Sequence, residues 1–422
     1  MHSVTNAIPT GTIASIPAKA HAHRALICAA LANSPSTILL SRTSKDIDAT
    51  MDSLRGLGAH VVYENKVVTV TPGPAPAKGN VVPHESGTTL RLLLPVAASI
   101  CNDVDVDAKG RLPDRPLEPM LGEMKAHGVT FSQDKPPFTM TGRLQGGNFS
   151  MVGDVSSQFF SGLLLAAPQI GLSTITSTTP LQSSDYVTLT TETMRDFGVE
   201  VEHTLPDTNI NEAFTVPFGA SFIGRDNYQI EGDWSNAAIW MVAAGMTGKP
   251  ITITGMNKNS VQADRRIMQV MIDAGCDVVW NGMNVMVTGR ASKPFHADLE
   301  QMPDMLPVMA ALSCSISGES SFVKGARLRL KESDRLVAVA NLVKDLGGTV
   351  REEGDDLYII GSGILKGGHG DCVNDHRLVM AGTLMALISE NPVTLQDSEA
   401  ITKSYPHFFE DWNLLGGNAQ PV

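Results

Sequence analysis

Six stretches of this chain read as helices with almost no polar face. They are KAHAHRALICAALA from Lys19, GTTLRLLLPVAA from Gly87, SQFFSGLLLAA after Ser156, WSNAAIWMVAA after Asp233, MLPVMAAL after Asp304 and HRLVMAGTLMAL after Asp375. A helix apolar on every side belongs inside a domain, and its alanines and glycines let neighbouring helices approach closely. Each run begins with small, hydroxylic or charged residues, and the arrangement recurs roughly every 70 residues. Helix N-termini carry unsatisfied backbone N–H groups and partial positive charge, so tips that share a direction make a surface suited to anions.

A second kind of helix alternates with the first. Residues 46–58, 115–128, 186–198, 264–275 and 331–348 have apolar positions three or four apart, and each stretch ends at a glycine suited to a left-handed cap. Period-two runs with turn residues follow, as in HVVYENKVVTV from His60, and read as hairpins. The repeating unit is therefore β-α-β-α-β-β, present six times, with the last copy expected to be truncated after Glu399. A chain of 422 residues exceeds one ordinary core, and three units per domain divides it evenly. The crossing between domains is expected at residues 224–232, and the strand before Pro17 is assigned to the second domain. Residues 15–230 would then form one domain, and 1–14 with 231–422 the other.

Net charge is −12, which disfavours nucleic acid and anionic membranes as partners while leaving a locally cationic pocket open. The five cysteines lack ligand spacing and read as free thiols of a reducing compartment. No stretch reads as an eighteen-residue membrane span or a signal-like apolar core, so a cytoplasmic protein is expected. There is no GxxxxGK[ST] loop and no GxGxxG fingerprint after a strand. The histidines lack metal spacing, and only His376, beside Arg377, is placed near a ligand.

Eight cations fall in or beside these end segments: Lys19, Arg24, Arg91, Arg115, Lys331, Arg335, Arg377 and Lys403. Arginine forks fit carboxylate or phosphate and lysines act as point charges, so the mixture suggests a ligand bearing both kinds of oxyanion. In the KESDR run from Lys331, Asp334 suits a cap and Glu332 a proton-transfer role. Asp304 is either an N-cap or a partner for a substrate hydroxyl. Ser156, Ser157 and Gln158 cap a helix or meet phosphate oxygens, and Gly87 and Thr88 allow close backbone approach.

Nine ordered blocks among these residues resemble the EPSP synthase (3-phosphoshikimate 1-carboxyvinyltransferase) family. They are residues 19–24, ESGTTLR from Glu85, LPDRP from Leu112, GDVSSQ from Gly153, GDWS from Gly232, MPD from Met302, RLRLKESDR from Arg327, DHR from Asp375 and KSYPHF from Lys403. The resemblance implies an α/β fold of two inside-out domains, helices within and sheets outside, with the site in the cleft. It implies enolpyruvyl transfer from phosphoenolpyruvate to the 5-hydroxyl of shikimate 3-phosphate, without metal or organic cofactor, by a monomer. Shikimate 3-phosphate would be held by Lys19, Arg24, Ser156, Ser157, Ser183, Tyr186, Asp304, Arg327 and Lys331. Phosphoenolpyruvate would be held by Lys19, Gly87, Arg115, Gln158, Arg335, Arg377 and Lys403, and Asp304, Glu332 and Lys19 would carry protons. UDP-N-acetylglucosamine enolpyruvyl transferases share the fold, but the cysteine they use has no counterpart around residues 111–115. A catalytically silent anion-binding homologue is the reading from another class.

Two departures stand out. The family usually has Ser-Lys-Ser where this chain has Ala18-Lys19-Ala20, so a hydroxyl that helps to bind the shikimate carboxylate is missing and Arg24 carries that anion. In Gln262-Ala263-Asp264 the family usually has a central glycine.

Overall fold

The computed structural model describes residues 1–207 and 211–422. They form six four-stranded sheets, and the chain divides into two compact units, Pro17–Ile230 and Met1–Ile16 with Glu231–Val422. Each sheet is a single motif. In the second, Gly79–Val81 runs parallel to Asp103–Val106, which pairs antiparallel with Phe138–Thr141, itself antiparallel to Thr130–Phe131. The helix Gly87–Ile100 joins the parallel pair and the helix Met120–Ala126 leads to the hairpin, as β-α-β-α-β-β requires.

Three of the six motifs borrow a strand from elsewhere in the chain. Tyr228–Gln229 returns to run parallel to Ser36–Leu39, and Gly11–Ala14 runs parallel to Ile251–Thr254. His2–Val4 lies between Val393–Leu395 and Ala419–Pro421. The last unit is thus not truncated after Glu399. It continues through the helix Phe408–Leu414 and the strand Ala419–Pro421, and its remaining strand comes from the N-terminus, where local periodicity cannot reveal it.

The apolar helices are the core. Every residue of Gly87–Ile100 except Thr88 and Ile100 is buried, and Leu306–Cys314 is buried throughout. Gly162 shows why small residues recur: a Cβ there would lie 2.5 Å from the Arg91 carbonyl, so Gly87–Ile100 and Ser157–Ile170 touch backbone to backbone.

Several helices start later than their periodicity suggests. Pro116 and Pro119 delay the 115–128 segment, which is helical only over Met120–Ala126. The 264–275 segment opens as a 3-10 turn, Ala263–Arg266, before Ile267–Asp273. The 331–348 segment becomes helical at Arg335, because Asp334 caps the helix by accepting from the Val337 N–H at 3.3 Å. Lys331, Glu332 and Ser333 therefore lie on a turn, free of helical geometry.

Candidate active site

In the Pro17–Ile230 unit, helix tips are tied together by side chains. Lys19 opens its helix behind the buried Ala18, and its ammonium donates to Asp46 Oδ2 at 2.6 Å. The Asp46 carbonyl accepts from Thr89 Oγ1 (3.3 Å), and Thr50 joins Thr89 (2.7 Å) to His23 (2.7 Å). Ser156 caps the third apolar helix by accepting from the Gln158 N–H at 3.3 Å, and Ser157 is buried beside it. Gln158 then reaches across to the second: its Nε2 donates to Thr88 Oγ1 at 2.8 Å, and its Oε1 accepts from Arg91 at 3.0 Å. Arg115 lies over Gly87, where a Cβ would sit 2.5 Å from its guanidinium, so no other residue fits without moving that cation.

Arg24 is 1% exposed. Its Nε donates to Thr190 Oγ1 (2.7 Å), Nη1 to the Ala20 carbonyl (2.7 Å), and Nη2 to Ser161 Oγ (3.3 Å) and the Tyr186 carbonyl (2.9 Å). Four of its five N–H groups are so engaged. Burial draws its pKa down to about 10, against the opposing influence of Tyr186 and Cys28. Tyr186 is half-buried, and Ser183, buried at φ 53°, precedes it on the same turn. Two residues on from Lys19, burial holds His21 down to about 4, assisted by Arg24, so it is neutral beside Tyr228 Oη at 2.8 Å.

The other unit builds a cluster around Asp304. This residue does not cap its helix. It sits within the 3-10 turn Pro303–Met305, which turns the carboxylate toward cations from other segments. Oδ1 meets Lys331 at 3.1 Å and Arg335 at 2.7 Å, and Oδ2 meets Arg377 at 3.2 Å. Burial pushes the Asp304 carboxyl up, but Arg377, Lys331 and Arg335 overcome it and hold the group well below the usual carboxylate range. Burial also draws the Lys331 ammonium down to about 8, despite Asp304. Arg327, half-buried on the turn Ala326–Leu330, adds to that depression.

Arg335 links the cluster. It is 1% exposed and spans Asp304, Glu332 at 2.6 Å, and the fully buried Asp375 at 2.9 and 3.2 Å. Asp375 also accepts from Ser333 Oγ (3.0 Å) and caps the last apolar helix at the Arg377 N–H (3.0 Å). Lys403 donates to the Asn374 carbonyl at 2.8 Å, next to that cap. Lys331, Glu332, Arg335, Arg377 and Asp304 therefore share one network, with Lys403 at its border.

Four chain-scale similarities bear on these networks. A sequence model of the EPSP synthase (3-phosphoshikimate 1-carboxyvinyltransferase) family matches residues 7–412. The chain belongs to the EPSP synthase family. It is 35% identical over 412 residues to a 3-phosphoshikimate 1-carboxyvinyltransferase of Clostridium kluyveri, covering 96% of this chain and 95% of that one. A relative of the same name from Methanocorpusculum labreanum is 33% identical over 417 residues, covering 97% of both. An EPSP synthase structure from Acinetobacter baumannii superposes with a TM-score of 0.82 at 23% identity, over 100% of this chain and 99% of that one, a likeness of fold. The two-domain inside-out α/β architecture of the EPSP synthase family is the one described above.

Asp46 and Asp375 are site residues that the sequence reading does not single out, while Thr88, read there only as a point of close backbone approach, also accepts from Gln158. An acid at a helix tip reads as a cap, and Asp375 is one; what sequence hides is that its other oxygen lone pairs face Arg335. Among the described residues no group of three or more His, Cys, Asp or Glu is placed to hold a metal ion, and no helix is long and apolar enough to cross a membrane.

Proposed function

We propose that this chain transfers the enolpyruvyl group of phosphoenolpyruvate to the 5-hydroxyl of shikimate 3-phosphate, as a cytoplasmic monomer, with both units contributing to one site in the cleft. The observation that carries this reading is the Asp304 network: one carboxylate held by Lys331, Arg335 and Arg377 from two further segments, in a member of the EPSP synthase family. Each unit brings cations of its own to offset the repulsion between two anionic substrates.

In the proposed reaction the 5-hydroxyl oxygen bonds to C2 of phosphoenolpyruvate and C3 takes a proton. The tetrahedral intermediate then loses a C3 proton and phosphate to give the enol ether. Asp304 receives the hydroxyl proton, and Glu332 and Lys19 exchange protons at the enolpyruvyl carbon and leaving group. Arg335, Arg377, Lys403, Arg115, Gln158 and Gly87 hold phosphoenolpyruvate. Lys19, Arg24, Ser156, Ser157, Ser183, Tyr186, Arg327 and Lys331 hold shikimate 3-phosphate.

Phosphate release tests the reading. Release is expected with phosphoenolpyruvate and shikimate 3-phosphate, and not with unphosphorylated shikimate. Release with UDP-N-acetylglucosamine instead would assign the chain to the related transferases, and none with any acceptor would make it a silent anion binder.

Ala20 gives a separate prediction. Arg24 is largely occupied within its own unit, so a hydroxyl at position 20 would add a charge-assisted bond that is now missing. Such a bond is worth roughly 1.5–3 kcal/mol. Ala20→Ser is expected to tighten shikimate 3-phosphate binding about tenfold or more by calorimetry, and an unchanged Kd would show the hydroxyl to be immaterial here.

A further inference from the structure

Two sequence motifs are left without a role by this reading, GDWSN from Gly232 and Gln262-Ala263-Asp264. In the structure they are one assembly. Gln262 Oε1 accepts from the Trp234 N–H at 3.0 Å, and its Nε2 donates to Glu231 (2.7 Å) and the Gly232 carbonyl (2.9 Å). Two residues on, Asp264 Oδ2 accepts from Ser235 Oγ in the first turn of Trp234–Thr247. Asp264 is 1% exposed, and its Oδ1 has no hydrogen-bond partner among the described residues. A buried carboxyl oxygen left unpartnered is costly and is rarely retained without a use.

The helix that Asp264 braces also packs against the Asp304 turn and the Arg377 helix. The charged groups that act electrostatically on Asp264 are Arg377, Asp304 and Asp233, so Arg377, paired to Asp304 at 3.2 Å, lies in the field of a second carboxyl as well. We propose that Asp264 tunes the Asp304 cluster: as a carboxylate it offsets part of the Arg377 charge and so weakens the hold of that cluster on an incoming anion. Burial raises Asp264 to about 6, with Asp304 and Asp233 reinforcing the shift and Arg377 and Ser235 opposing it. The charge therefore appears and disappears just below neutrality, and anion binding tightens as it is lost. The proposal rests on the functional reading only for the identity of the anion.

Sulfate is the probe, because it stays a dianion throughout the range tested. Calorimetric titration of the wild-type chain is expected to show sulfate binding about tenfold tighter at pH 5.5 than at pH 7.5, the size of effect that one nearby charge exerts at a partly buried site. Asp264→Asn should bind tightly at both values. Ser235→Ala, which removes a donor that favours the charged form, should move the transition to higher pH. Lys331 titrates at about 8 and His376 adjoins Arg377, but both are present in every variant, so the differences report Asp264. Folding is checked by melting at pH 7.5. Asp264→Asn should melt no lower than wild type, since a carboxyl raised in the fold costs stability once pH exceeds its unfolded value. An Asp264→Asn chain that melts normally yet keeps the wild-type pH dependence, or binds sulfate more weakly, overturns the proposal, as does a wild type that binds no sulfate. Absence of phosphate release with intact sulfate behaviour would overturn the functional reading alone.

Discussion

Asp304→Ala is expected to lower kcat by about 10²–10⁴-fold, the range for loss of a positioned proton acceptor, while phosphoenolpyruvate KM stays level or falls. The asymmetry follows from what the carboxylate does before substrate arrives. It holds Lys331, Arg335 and Arg377, so removing it leaves more of their positive charge for an anionic ligand, although Arg335 stays tied to Glu332 and Asp375. A carboxylate held by three cations is a poor base. In the proposed reaction it would become a useful one as the substrates' phosphate and carboxylate groups take those cations away, which would couple base strength to substrate binding. Glu332, which meets Arg335 at 2.6 Å, should follow the same pattern when changed to Ala. Steady-state kinetics with direct binding of the first substrate decides the matter: equal losses in turnover and binding would remove both residues from their chemical roles.

The same network sets the acid limit of stability. The Asp304 pKa is depressed in the fold, so its contribution is present above the ordinary carboxylate value and is lost as pH falls through the lowered one. Melting temperature should therefore decline toward strongly acid pH, and Asp304→Asn should show a shallower decline over that limb.

What could be read in advance divides along a physical line. The apolar helices at Gly87 and Leu306 were legible because total burial leaves a composition that no other setting tolerates. Helix starts were less so, since proline sterics at Pro116 and the Asp334 cap override periodicity within a turn. The sequence placed the strand before Pro17 with the second domain, but not the sheet that His2–Val4 joins, because its partners there lie nearly the whole chain away. Chemistry followed the same division. Cations at helix tips announce themselves, whereas the carboxylates that hold them, Asp46 and Asp375, look like ordinary residues of a first turn and a cap until the fold brings Lys19 and Arg335 to them.

Arg335→Met tests the network most severely, and is expected to cost about 3–5 kcal/mol of stability at neutral pH, the range for breaking one side of a buried ion pair. Asp375 has no solvent contact, and without the guanidinium it retains its Ser333 and Arg377 N–H bonds while losing its paired charge. Asp304 keeps Lys331 and Arg377, so the damage concentrates on Asp375 and Glu332. Methionine fills much of the arginine stem's volume, which separates lost charge from lost packing. The separation is read from pH. Protonating a stranded carboxyl removes the charge penalty, so the gap to wild type in urea midpoint should narrow as the solution is made acid. Arg335→Lys should lie between the two, because a single ammonium cannot span Asp304, Glu332 and Asp375 as the guanidinium fork does. A gap of equal size at pH 5 and pH 8 would make the loss one of packing, and Arg335 would then be a structural residue whose carboxylate partners are incidental.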